Sequence, residues 1–198
     1  VDALAFTGSG LVGRTLLKAA ANSNLKRVFL ELGGKSPHIV FDDAHDLDSA
    51  AQAVVMGIFR NSGQVCIAGS RLLVQHTIHD AFVEKIVNLT EKMKVGDPLD
   101  LQTQIGAISS EAHLRRIQNA LHGVDSIASG GFQILSETGG YYMAPTIVTD
   151  MGMDDRLVRE EVFGPVLTVS RFKDELDAVT QANASELGLA AGVWTSDL

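Results

Sequence analysis

Apolar and polar positions alternate along the chain in two rhythms. Leu4-Ala5-Phe6-Thr7 is short and β-prone, predicting a strand over about 3–7 that runs into Gly8-Ser9-Gly10. Leu16, Leu17 and Ala20 then recur at helical spacing. Arg27-Val28-Phe29-Leu30-Glu31 and His38-Ile39-Val40-Phe41 read as further strands. Asp46 caps a helix whose one face carries Leu47, Ala50, Ala51, Val54, Val55 and Ile58. A strand at Arg71-Leu72-Leu73-Val74-Gln75 precedes a helix with Ile78, Phe82, Ile86, Leu89 and Met93 inward, and Gly96-Asp97-Pro98 ends that region. Ser110 caps a helix with Leu114, Ile117 and Leu121 inward, closed by Gly123. Residues 124–150 are rich in glycine and turn formers and end in the strand Pro145-Thr146-Ile147-Val148. Gly164-Pro165 precedes the strand Val166-Leu167-Thr168-Val169, a helix from about 174 to 183 follows, and Ala190 to Thr195 reads as a last strand. Strands alternating with helices predict an α/β fold, a mostly parallel sheet with helices on both faces.

The first strand begins at the first residues and the last lies near Leu198, so the chain reads as an excerpt truncated at both ends. Its 198 residues, 45% hydrophobic and 20% charged, suit a soluble globular protein of one large domain or one domain and part of another. A net charge of −8 argues against a nucleic-acid partner, whose phosphates call for clustered Lys and Arg. No apolar run approaches the roughly 18 residues of a membrane span, and Val1 to Phe6 lacks a basic leader. One cysteine forms no internal disulfide, so a reducing cytoplasm is the expected location. The six histidines, His76, His79, His113 and His122 among them, lack ligand spacing and nearby cysteine; they read as surface groups, and no metal site is expected.

Two residues suggest covalent chemistry. Cys66 ends Phe59-Arg60-Asn61-Ser62-Gly63-Gln64-Val65-Cys66, where Asn61 to Gln64 break the preceding helix and leave the thiol on irregular backbone. A lone cysteine is more often a small buried hydrophobe, so this location is what favours a nucleophile. Lys35 and Arg71 are candidate cations for its thiolate, or else surface and packing groups. Glu31 ends an apolar run before Leu32-Gly33-Gly34-Lys35-Ser36-Pro37, and a carboxylate there can activate water. Gly8-Ser9-Gly10-Leu11-Val12-Gly13 matches a pyrophosphate-binding turn between strand and helix. In a standard dinucleotide site Glu31, roughly 20 residues on, would instead bind ribose. The paired glycines Gly33-Gly34 argue for a backbone pressed against an active-site wall.

Together these residues resemble the aldehyde dehydrogenase superfamily. Phe6-Thr7-Gly8-Ser9 with Val12-Gly13 is similar to its phosphate-side turn, and Glu31 to Pro37 to its general-base motif. Phe59 to Arg71 is similar to its nucleophile motif, and Arg159-Glu160-Glu161-Val162-Phe163-Gly164-Pro165-Val166 to its nicotinamide-ribose motif. The resemblance implies that Cys66 attacks an aldehyde and carries a thioester, and that Glu31 deprotonates the hydrolytic water. It implies NAD or NADP as cofactor, with Gly8, Ser9 and Leu32 beside it, Glu161 holding the nicotinamide ribose and Phe163 packing near the nicotinamide. It assigns residues 1–32 to the end of the dinucleotide-binding domain and 33–198 to most of the cysteine-bearing catalytic domain. It also implies a homo-oligomer at full length. Asn24 to Val28 and Gly63 to Gly69 are similar to bacterial aminoaldehyde dehydrogenases of the γ-glutamyl-γ-aminobutyraldehyde type.

Overall fold

The computed structural model describes residues 1–197. Strand β1 (Ala3–Thr7) leads through Ser9, whose Oγ accepts from the Val12 N–H at 3.4 Å, into helix α1 (Gly10–Ala21). Strand β2 (Arg27–Glu31) pairs with β1 in parallel, setting Thr7 opposite Glu31. The two strands form a sheet of their own. Alternation puts Val28 and Leu30 inward, while Phe29, 60% exposed, shares the open face with Thr7 and Glu31.

The rest of the chain builds a six-stranded sheet. Strand β3 (Pro37–Val40), helix α2 (Leu47–Phe59), strand β4 (Arg71–Gln75) and helix α3 (His79–Thr90) come first, then helix α4 (Glu111–Leu121). The short strands β5 (Ile127–Ser129), β6 (Gln133–Ile134), β7 (Tyr142–Met143) and β8 (Thr146–Val148) follow. Helix α5 (Arg156–Arg159), strand β9 (Val166–Phe172), helix α6 (Glu175–Ala182) and strand β10 (Gly192–Trp194) complete the described chain. The strand order is β10-β3-β4-β9-β8-β5, parallel throughout except for β5, while β6 and β7 pair separately.

Both faces of the large sheet are covered, which explains the unbroken apolar runs of its central strands. On one face Leu72, Val74, Leu167 and Val169 pack under the Ala50, Val54 and Ile58 stripe of α2 and under Phe82 and Ile86 of α3. On the other, Ile39, Leu73 and Phe172 meet Ala178 of α6. A third cluster joins Leu114, Ile117 and Leu121 of α4 to Met143, Val148, Leu157 and Val166.

Two features depart from the sequence reading, and the place of Arg71 decides between its alternatives. The region 124–150 holds strands β5 to β7, each too short to show a period, with Gly130 and Gly131 at φ of 73° and 91° between β5 and β6. Arg71 is a buried tie and no surface cation: its Nε donates to the Lys35 carbonyl at 2.9 Å, Nη1 to that of Gln181 at 3.0 Å and Nη2 to that of Ala182 at 2.7 Å. The guanidinium therefore anchors the segment before β3 to the C-terminal end of α6, where the helix dipole favours a cation. His79 and His113 are buried, contrary to the expectation of surface histidines.

Candidate active site

Helix α2 stops abruptly before the cysteine. The turn Arg60–Gly63 places Asn61 and Ser62 at φ of 52° and 57° and Gly63 at 68°. Two consecutive non-glycine residues in the left-handed region cost free energy, so neighbours must hold them there. The Ser62 hydroxyl donates to the Gly106 carbonyl at 2.8 Å, and the Gln64 side chain accepts from the Ser109 N–H at 2.9 Å. Cys66 then lies in an irregular turn, half-buried, as the loop residues anticipate. Among the described residues its backbone N–H has no hydrogen-bond partner, a donor available to a ligand.

Close backbone packing joins the cysteine loop, the glycine pair and the segment before β9. A Cβ on Gly33 would lie 2.2 Å from Glu161 Oε2, and one on Gly34 would lie 2.3 Å from the Cys66 carbonyl oxygen. The expected close approach of the glycine pair is thus to Glu161 on one side and Cys66 on the other. A Cβ on Gly63 would meet the Gly164 carbonyl oxygen at 2.1 Å. Residues from three separated stretches of sequence are thereby held within one small volume.

Glu161 is partly buried and its Oε1 accepts from the Gly34 N–H at 3.2 Å. Burial raises its pKa above the usual carboxylate range, against the opposing pull of that hydrogen bond and of the Lys35 charge. Lys35 itself is 1% exposed, not a surface group. Burial and then the neighbouring Arg71 charge lower its pKa from 10.5 to about 7, outweighing Glu161 and Glu160, which raise it.

This coupling carries a stability prediction. Between those two values the unfolded chain binds a proton that the folded chain does not, so stability rises with pH across the interval. From about pH 7 to about pH 9 the gain is on the order of 2 kcal/mol. In Lys35→Met this rise is expected to vanish, with the variant gaining most at and below about pH 7, as denaturant midpoints at the two pH values would show. An unchanged slope in the variant would refute the assignment.

A cavity of about 960 Å³ lies where these segments meet, and Gly8, Ser9, Leu32, Cys66, Glu161 and Phe163 all line it. Every expected site residue but one is on its wall. Glu31 is exposed at the end of β2 and does not line the cavity, though Thr7, its cross-strand partner, and Leu32, its successor, both do. Glu31 therefore stands at the rim. Phe163 has φ of 55° and is 40% exposed.

Sequence reasoning missed the contribution of α4, whose His113, Arg116 and Asn119 also face this cavity. The available signal was their spacing beside the apolar Leu114, Ile117 and Leu121, which places a polar stripe at the edge of the buried face. A second cavity of about 650 Å³ lies on the other side of Val65, which lines both; Ile67, Arg60, Ser36 and His38 line the second. His38 Nε2 accepts from Trp194 Nε1 at 2.9 Å, and burial holds the imidazole pKa below its ordinary value. Among the described residues no cluster of His, Cys, Asp or Glu is arranged to hold a metal ion, and no helix is long and apolar enough to cross a membrane.

A model of the aldehyde dehydrogenase family matches residues 1–198, and the chain belongs to that family. It is 48% identical over 202 residues to an aldehyde dehydrogenase of Emericella nidulans, covering 100% of this chain and 40% of that protein. It is 45% identical over 200 residues to the NADP/NAD-dependent aldehyde dehydrogenase PuuC of Escherichia coli K12, again covering 100% and 40%. The structure of γ-glutamyl-γ-aminobutyraldehyde dehydrogenase from Burkholderia cenocepacia matches with a TM-score of 0.96 at 49% identity, over 100% of this chain and 41% of that one. An indole-3-acetaldehyde dehydrogenase complexed with NAD+ matches with a TM-score of 0.98 at 42% identity, with the same coverage. The expected aldehyde dehydrogenase-like fold is therefore present, and the chain spans about 40% of the length of these curated relatives.

Proposed function

We propose that the protein carrying this chain oxidises an aldehyde to a carboxylic acid with NAD or NADP, consuming one water. The observation that carries this reading is the shared wall: Cys66, Ser9 at the N-terminus of α1, Glu161 and Phe163 line one cavity. These residues fit a dinucleotide. A helix N-terminus beside Gly8 and Ser9 suits a pyrophosphate, and the Glu161 carboxylate, steadied by Gly34, offers an acceptor for a ribose hydroxyl. When bound, the nicotinamide supplies the two-electron acceptor for the aldehyde hydrogen.

The chain's own residues do the rest. The Cys66 thiolate adds to the aldehyde carbon, forming a C–S bond, and the unpartnered Cys66 N–H donates to the oxygen that gains charge. Loss of hydride leaves a thioester on Cys66. Glu31, turning inward from the rim past Thr7, takes a proton from the water that attacks this thioester. The C–S bond breaks, Cys66 leaves as thiolate and the acid departs. The second cavity, against Val65 and Ile67, receives the body of the aldehyde while its carbonyl reaches Cys66.

The separation of the β1–β2 sheet from the six-stranded sheet supports reading 1–32 as the end of a dinucleotide-binding domain and 33–198 as the cysteine-bearing domain. The similarity to the γ-glutamyl-γ-aminobutyraldehyde enzyme supports an aminoaldehyde substrate. A homo-oligomer in the cytoplasm completes the proposal. Incubating the intact protein with such an aldehyde and either cofactor should yield reduced nicotinamide and free acid in equal amounts without coenzyme A. Cofactor binding with no reduction by any aldehyde would favour a dinucleotide-binding protein without this chemistry.

A further inference from the structure

We infer that His113 is a positioning residue, fixing the Phe163 wall of the large cavity relative to Cys66. The inference rests on reading that cavity as the cofactor site. His113 is 6% exposed, and its Nε2 lies 2.6 Å from the Phe163 carbonyl oxygen. Its Nδ1 lies 3.2 Å from Arg116 Nη2. A guanidinium only donates, so Nδ1 accepts and the ring proton sits on Nε2, aimed at Phe163.

One helical turn on, Ile117 of α4 occupies the space a Cβ on Gly164 would need, with its Cδ1 at 2.5 Å. Helix α4 thus grips the Phe163-Gly164 turn by a hydrogen bond and by packing, at i and i+4 on one face. The segment entering α4 is itself tied to the cysteine loop through Ser62 to Gly106, and through Gln64 to Ala107 and Ser109. The carbonyl of Gly164 closes the circuit against Gly63. Phe163 sits at φ of 55°, a region a bulky residue rarely adopts, so its conformation is imposed by what grips it. Without the His113 bond the turn relaxes, the Phe163 ring swings from the cavity wall, and Glu161, two residues earlier, keeps only its contact with Gly34.

The test uses the intact protein. His113→Leu keeps bulk and removes the donor, whereas His113→Gln keeps a donor. Cofactor dissociation constants come from the fluorescence of the bound reduced cofactor, which needs no turnover. His113→Leu is expected to weaken cofactor binding by about tenfold to a hundredfold, the effect of orphaning a part-buried carbonyl. It should raise the primary isotope effect on kcat with a C1-deuterated aldehyde, as hydride departure becomes slower relative to thioester hydrolysis. The KM for aldehyde and the rate of Cys66 alkylation by iodoacetamide should stay unchanged, and His113→Gln should recover most of the affinity. If His113→Leu does not fold, His113→Asn, too short to reach the carbonyl, is expected to show the same loss. Wild-type cofactor affinity with an unaltered isotope effect in the donor-less variant, even one that melts earlier, would overturn the inference. A wild-type protein that binds cofactor but oxidises no aldehyde would instead overturn the proposed function and leave the affinity comparison intact.

Discussion

Cys66→Ser in the intact protein is expected to lower kcat/KM for aldehyde oxidation by about 10⁴-fold or more, the usual scale for removing a covalent nucleophile. The size of the loss follows from the setting. Cys66 occupies an irregular turn, and among the described residues no histidine is hydrogen-bonded to it. A thiol ionises appreciably near neutral pH without a dedicated base, but a serine hydroxyl does not. Cofactor affinity should survive, because Ser9, Glu161 and Phe163 are untouched. A Cys66→Ser enzyme retaining a tenth or more of the wild-type rate would remove the thiol from the mechanism.

Glu31→Gln should have the second largest effect, and of a different kind. The variant is expected to form reduced nicotinamide once per site and then stall, with steady-state turnover lower by about 10²- to 10⁴-fold, the range for a general base. The burst arises because thiol addition and hydride departure precede any need for Glu31. The rival role, a ribose-binding acid, predicts no burst and a raised KM for cofactor. That signature is expected of Glu161→Gln instead, since Glu161 lines the cavity and Glu31 does not. Rapid-mixing traces at the absorbance of reduced nicotinamide separate the two roles.

The elements with strong periods were legible from the chain. Asp46 and Ser110 cap helices as their positions suggested, each accepting from backbone N–H groups of the first turn, and Asp174 does the same for α6. The parallel sheet followed from the alternation of strand and helix patterns. The strands β5 to β7 did not, because two or three residues cannot display a period. The candidate site divides in the same way. The glycine pair announced a close approach, and the structure supplies its objects, Glu161 and the Cys66 carbonyl. The roles of Lys35, Arg71 and His113 were hidden, because burial of a polar side chain depends on what folds over it. Lys35 was weighed as a surface or packing cation, and the structure selects the second: it is enclosed, with an amine that is half-neutral at about pH 7. The place of Glu31, exposed and off the cavity wall, was not fixed by its position in the sequence.

The central claim is that sulfur and carboxylate serve one acyl intermediate, and mass spectrometry of the stalled Glu31→Gln protein tests it directly. After incubation with aldehyde and cofactor, the intact mass should rise by the acyl group less one hydrogen. Peptide mapping should place that increment on Cys66, and hydroxylamine should remove it. Reduced nicotinamide accumulating while the Cys66 peptide stays unmodified would contradict the account.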